Sequence, residues 1–346
     1  TSGPCGTGPF KFKEWRRDDY VALVKNKDYN WAPKFTKHTG PAKLDELIFR
    51  VIPEDVTRVS DLRTPGGAHM VTNVPPKDVE KLKADPNTRI LTAPLSQVFF
   101  LSMNTQRMAD IKIRQAVAHA IDRDAINKAL FYGLYQLAYN PLNPAMGVWY
   151  QEKPKTAKLL DLKRAAELLD EAGWKLGSDG YRYKNGKILE LTGIGYLGLT
   201  QIDILVIIQD QLKKVGIKLK IDEYRGDRQG WYTRCTEGTF DLNPALWAYI
   251  VPSLEWFFFA RQIPWPNWMR FNDPEFEELV TTGKIHPDEK KALESYHKAV
   301  ERLIDQAAWA PTFYPVDIVA IRKNVLDYSL PTRQHNWMFL AVTIAS

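Results

Sequence analysis

The sequence predicts an α/β protein of two lobes with mixed sheets, joined by strands that can serve as a hinge. Three observations carry that expectation. The first hundred residues read mostly as strands and turns, the texture turns helical after Asn104, and residues 188–221 follow the strand–helix–strand order of a parallel β-α-β unit. No low-complexity tether separates the two textures, so strands must connect the lobes, an arrangement suited to hinge closure around a ligand.

From the N-terminus, residues 10–15 and 20–24 alternate apolar and polar side chains around a polar link at 16–19, which predicts a hairpin. Residues 28–41 are a loop, and 47–52 form a β-branched strand that Pro53 ends. Short helices are expected over 54–62 and 76–84, the second with Pro76 at its first position and Val79 and Leu82 on one face. The apolar run 98–103 predicts a strand buried on both faces. Residues 110–121 place Ile113, Val117, Ala120 and Ile121 on one helical stripe, and Asp122 caps a second helix that stops at Gly133. Thr156 is the expected cap of a helix over 157–172. Thr200 with Asp203 opens another that ends at Gly216, and a long helix spans 288–306. A single strand is expected over 312–321 before a turn-rich tail. The domain reading is a strand-rich lobe of residues 1–102 joined by 322–346, and an α/β lobe of 103–321.

Composition narrows the function. A chain of 346 residues holds two domains on a scale of about 100–200 residues each. Its 45% apolar and 25% charged residues exclude a disordered chain. Net charge is +6, but no Lys/Arg run reaches five residues, so the excess reads as solvated surface rather than a nucleic-acid patch. No stretch reaches the roughly 18 apolar residues of a membrane helix; the best, 202–208, is short and carries Asp203. Cys5 and Cys235 cannot build a disulfide framework or a four-ligand zinc site, leaving one bridge or two free thiols open.

Catalytic signatures are missing. His38, His69, His119, His286, His297 and His335 have no HxxxH or HxH spacing, so no local metal motif is present. There is no GxSxG, GxxxxGK[ST] or GxGxxG pattern; Gly193-Ile-Gly195 lacks the third glycine, and Gly6-Thr-Gly8 suits a turn. The carboxylate pairs Asp18-Asp19, Glu54-Asp55 and Glu277-Glu278 are adjacent in sequence and so point apart.

Tryptophan is the outlier. Eleven are present, and five fall between Trp231 and Trp268. From Trp247 to Phe271, nine of 25 residues are aromatic, interrupted by Pro252, Pro264 and Pro266, which argues against a regular core helix. Rings on irregular backbone either line a ligand pocket or simply pack.

Several blocks, in order, carry a resemblance. They are Gly6-Thr-Gly-Pro-Phe10 with Lys27-Asp-Tyr29, Phe49-Arg-Val-Ile-Pro53, Phe100-Leu-Ser-Met-Asn-Thr105 and Ile113-Arg-Gln-Ala-Val-Ala-His-Ala-Ile-Asp-Arg123. Ala165-Ala-Glu-Leu-Leu-Asp-Glu-Ala-Gly173, Gln211-Leu-Lys-Lys-Val-Gly-Ile217 and Gly238-Thr-Phe-Asp241 complete them. Together they resemble family 5 of the bacterial extracellular solute-binding proteins, the dipeptide/oligopeptide-binding group of ABC importers. The resemblance implies a periplasmic-binding-protein-like fold of type II, with a ligand cleft between two lobes. It also implies a location in the periplasm or on a lipid anchor outside the cell membrane, and delivery to ABC permease subunits in the inner membrane. No cofactor, metal or nucleic acid is implied, and the expected state is a monomer. Family members usually carry a further region ahead of the Gly-Thr-Gly-Pro segment, so the chain reads as a C-terminal portion. Peptide binders of the family typically follow the Gly-Thr-Phe-Asp block with an Asp that pairs with the peptide's amino group. Here Trp247-Ala-Tyr-Ile-Val-Pro-Ser-Leu-Glu255 holds none. A buried ammonium without a partner costs several kcal/mol, so either Glu255 takes that role or the ligand lacks a free peptide N-terminus.

The expected function is therefore capture of a peptide or peptide-like solute without chemistry. The ligand would lie against Trp231, Tyr232, Trp247, Tyr249 and Trp256, with Arg234 either pairing with a ligand carboxylate or sitting on the surface. Asn104 and Thr105, just past the buried strand, are candidate hinge or cleft-floor residues, or an ordinary loop start. The rival expectations are a hydrolase whose site is assembled from distant residues and an aromatic-rich carbohydrate-binding protein.

Overall fold

The apolar run near residue 100 becomes the strand Gln97–Met103, in which every residue is buried. Its side chains alternate between two cores, because successive residues of a strand point to opposite faces. Phe99, Leu101 and Met103 join one, while Val98 and Phe100 join the other. The computed structural model in which this is seen describes all residues except 1, 2, 33, 35, 37, 197, 249–252, 331–338 and 346.

That strand belongs to a six-stranded mixed sheet, in the order Lys218–Glu223, Glu190–Gly195, Leu242–Ala248, Gln97–Met103, Trp309–Tyr314, Gln136–Leu137. Glu190–Gly195 runs parallel to both of its neighbours, and the expected β-α-β unit is formed through helix Asp203–Lys213. Gly193 is what lets that helix lie close: a Cβ there would meet Leu205 Cδ2 at 2.8 Å. The glycine thus answers to packing rather than to a phosphate loop. Helices Ile111–Ala120, Arg123–Phe131, Leu162–Glu171 and Asp203–Lys213 cover one face of the sheet. Arg228–Glu237, Leu254–Phe258, Pro274–Ile285 and Glu289–Asp305 cover the other. The last buries Ala292, Tyr296, Ala299, Val300, Leu303 and Ile304 on one stripe. Each large aliphatic side chain so buried stabilises the unit by about 1.5–3 kcal/mol.

Of the caps read from the sequence, Asp122 is formed, whereas Thr200 is not one: the helix starts at Asp203 behind Ile202, with no side-chain cap. Asp110, Asp122 and Asp288 accept hydrogen bonds from the backbone N–H of Lys112, Ala125 and Lys291. Thr156 is a correction: its hydroxyl donates to Glu301 O, and the helix starts at Leu162 under an Asp161 cap. Arg123 and His119 hold the carbonyls of Lys158 and Leu159 instead, so that stretch cannot coil.

Among the described residues, the rest build three three-stranded sheets, one of them Lys187–Ile188, Arg182–Lys184 and Lys175–Leu176, and a short strand pair. The expected hairpin is Phe10–Arg16 against Tyr20–Lys25, with Asp18 in the left-handed region at φ 59° and Glu46–Arg50 added as a third strand. Val316–Arg322 lies between Met70–Val71 and Thr88–Pro94. The chain divides into two compact units, Thr1–Leu95 with Val316–Ser346, and Ser96–Pro315. The strand expected over 312–321 is therefore two, Trp309–Tyr314 and Val316–Arg322, one in each unit. They break at Pro315, which has no N–H to offer a ladder. The division falls after Leu95 and Pro315 rather than after 102 and 321, because both flanking strands pair wholly within one unit.

Candidate functional site

In open sheets, ligands gather outside the carboxyl ends of parallel strands. Three such ends lie side by side in the Ser96–Pro315 unit, leading to Tyr196, Tyr224 and, through Trp247, Ala248. The antiparallel neighbours place both crossing points of the chain on this same edge. Gln97, just inside the entry at Ser96, pairs with Ala248, and Trp309–Tyr314 ends beside Phe99 before the exit at Pro315.

Aromatic rings crowd this edge, and three local devices place them. Helix Arg228–Glu237 is capped by Asp227, which accepts from Gly230 N–H at 2.8 Å, and stops at Gly238 with φ 70°. Trp231 and Cys235, one turn apart, therefore face the core. Trp231 Nε1 donates to Asn243 Oδ1 at 3.2 Å, and Tyr232 is left on the outer shoulder. Strand Leu242–Ala248 carries Trp247, whose ring centroid is 3.9 Å from that of Phe257. The third device is Asn267. Its amide donates to the carbonyls of Phe259 and Phe271 and its oxygen accepts from Phe271 N–H, closing a loop that holds Trp265 and Trp268 4.9 Å apart. Nothing in the ring pattern of the sequence singled out Asn267; an asparagine between the proline-flanked Trp265 and Trp268 was the available signal.

Part of the aromatic segment packs and part is presented. Trp231, Trp268, Phe257 and Phe258 are buried, and the space beneath Trp247 and Trp268 is about 10 Å³, room for one water. Above them, Tyr196, Tyr232 and Trp247 are half-buried and Trp265 is 39% exposed. Tyr232 lies 5.0 Å and Trp247 6.3 Å from Trp265, and Tyr196 4.6 Å from Trp231.

The other candidate residues fall as follows. Trp256 is 54% exposed on the outer side of helix Leu254–Phe258, and Tyr249 lies outside the described residues. Glu255 is ion-paired with Lys284, and its Oε2 is buried without a partner among the described residues. Arg234 bonds Tyr224 Oη at 2.8 Å, Asp222 Oδ2 at 3.2 Å and Thr239 O, so its donors already serve the fold. Burial disfavours the charge of Asp222, yet Lys220 and Arg234 outweigh it and hold the carboxyl below its usual range. Asn104 is buried within the same unit; it donates to Gly238 O and accepts from the N–H of Gln106 and Arg107, the pattern of a turn. Cys235 and Cys5 are both free, Cys5 exposed, and burial pushes the Cys235 thiol far up, away from nucleophilic chemistry. Among the described residues, no three His, Cys, Asp or Glu side chains converge as a metal site.

This edge presents half-exposed aromatic faces over a layer of buried rings. Residues 1–263 match the model of the bacterial extracellular solute-binding proteins, family 5 Middle. The chain belongs to this family. Among its relatives, it is 27% identical over 340 residues to the oligopeptide-binding protein AppA of Bacillus subtilis (strain 168), covering 94% of this chain and 59% of that protein. It is 24% identical over 337 residues to heme-binding protein A of Haemophilus influenzae, covering 94% and 57%. The solved periplasmic binding protein DppA of Helicobacter pylori, in complex with the peptide STSA, superposes with a TM-score of 0.74 at 29% identity, over 98% of this chain and 63% of that one. The family chain described here thus spans less than two thirds of the length of these relatives, and its fold is that of the type II periplasmic binding proteins.

Proposed function

We propose that this chain acts within the solute-binding subunit of a bacterial ABC importer, outside the inner membrane, and hands a peptide or peptide-like solute unaltered to the permease. The solute lies against Tyr196, Tyr232, Trp247 and Trp265, with Trp231 and Trp268 supporting them from behind and Trp256 contributing from helix Leu254–Phe258. The observation that carries this reading is the set of half-exposed rings at the carboxyl edge of the parallel strands, where both chain crossings also lie. Aromatic faces bury large apolar area at little entropic cost and accept many side chains, which suits a binder whose relatives are named for peptides and for heme. Glu255 and its Lys284 partner are the charged pair of the adjoining helix, and Arg234 is assigned to the fold rather than to the ligand.

The test is a titration of tryptophan fluorescence with free and N-acetylated di- to pentapeptides, followed by mass spectrometry of the recovered solute. A saturable change at one solute per chain and an unchanged solute mass are expected. A flat signal across the panel would contradict the proposal, and a shortened or hydrolysed product would favour the enzyme reading.

A further inference from the structure

Away from the aromatic edge, Arg123 presents a physical problem that the solute-binding role does not address. It is 5% exposed at the start of helix Arg123–Phe131. Its Nε donates to Pro311 O at 2.7 Å, its Nη1 to Lys158 O at 3.0 Å, and the guanidinium lies 5.5 Å from the Tyr139 ring. All three partners are uncharged. Among the described residues Nη2 takes no partner, and Arg123 lines a cavity of about 10 Å³ together with Tyr139, Lys158, Ala307 and Trp309. The lining holds a second cation and no carboxylate: Lys158 Nζ points to Asp305 at 2.7 Å, and Lys153 Nζ is 5.9 Å from the same Tyr139 ring. The one carboxylate found here, Asp305, is paired with Lys158, and no ion pair is formed by Arg123 among the described residues. A charge taken out of water without a counter-charge is expensive, and buried charges are normally paired. Desolvation accordingly pushes the Arg123 guanidinium down to about 10.

We propose that this cavity binds one small monatomic anion, a halide such as chloride, held by Arg123 Nη2 with Lys158 beside it. The space matches a particle about the size of a water molecule, which excludes sulfate, phosphate and carboxylate ligands. The anion would complete the neutralisation of Arg123 and fasten the 153–161 segment, whose Lys158 carbonyl the same guanidinium holds, to strand Trp309–Tyr314.

Crystals of the chain grown in sodium bromide test this by anomalous scattering. A bromide peak within hydrogen-bond reach of Arg123 Nη2 is expected; water alone at that position would overturn the proposal. In solution at constant ionic strength, replacing gluconate with chloride or bromide should raise the unfolding midpoint by about 3–5 °C per tenfold of halide above its dissociation constant. A midpoint indifferent to halide would equally refute it. Arg123→Met should remove the halide response. Because that variant also loses two backbone contacts, Lys158→Met provides the second reading and should cut the response by at least half; an unchanged response there counts against the site.

Discussion

Replacing Trp268 with alanine should lower the stability of the Ser96–Pro315 unit by about 3–5 kcal/mol, a fall of roughly 10 °C or more in its unfolding midpoint. Trp268 is only 2% exposed and touches Trp231, Trp247 and Trp265, and its Nε1 donates to Ser102 Oγ at 3.1 Å. Ser102 in turn donates to Asn243 O, and Asn243 holds Trp231, so one ring ties two strands and a helix together. Truncation leaves a cavity that interlocked aromatic neighbours cannot fill by relaxing. Trp256→Ala, at an exposed position of helix Leu254–Phe258, should shift stability by about 0.5 kcal/mol. Urea unfolding followed by circular dichroism compares the two variants. Equal shifts would mean that the rings are not divided into a packed layer and a presented one.

The presented layer carries the second large effect. Trp247→Ala and Trp265→Ala should each weaken solute binding by about 10–100-fold, because aromatic anchors at the centre of a binding face commonly contribute 1.4–2.8 kcal/mol or more. Trp265 is 39% exposed, so its removal should leave the unit folded. Trp15, 64% exposed on the hairpin of the other unit, supplies the control: Trp15→Ala should leave affinity unchanged. Isothermal calorimetry with a bound peptide from the panel measures all three. Undiminished affinity in both edge variants would place the solute elsewhere.

What the sequence revealed and what it hid have physical causes. The Asp122 cap is legible because it acts on an N–H three residues away. The start of helix Leu162–Glu171 is not, since Arg123 and His119, more than thirty residues upstream, decide where residues 157–161 can coil. Helix Arg228–Glu237 escaped notice because only Trp231 and Cys235 of its residues are buried, too few to form a stripe. The aromatic segment was visible as composition, but its split into buried and exposed rings depends on Asn267 and on the strand Gln97–Met103 beneath, both long-range effects. Arg234 shows the reverse limit: a guanidinium near the candidate face suggested a carboxylate clamp, and only folding revealed Asp222, Tyr224 and Thr239 as its partners.

The most direct test of the central claim is a crystal structure of the protein with a captured peptide. The account predicts intact solute lying on the exposed faces of Tyr232, Trp247 and Trp265. Density for the peptide at any other surface, with those three rings facing only solvent, would contradict it.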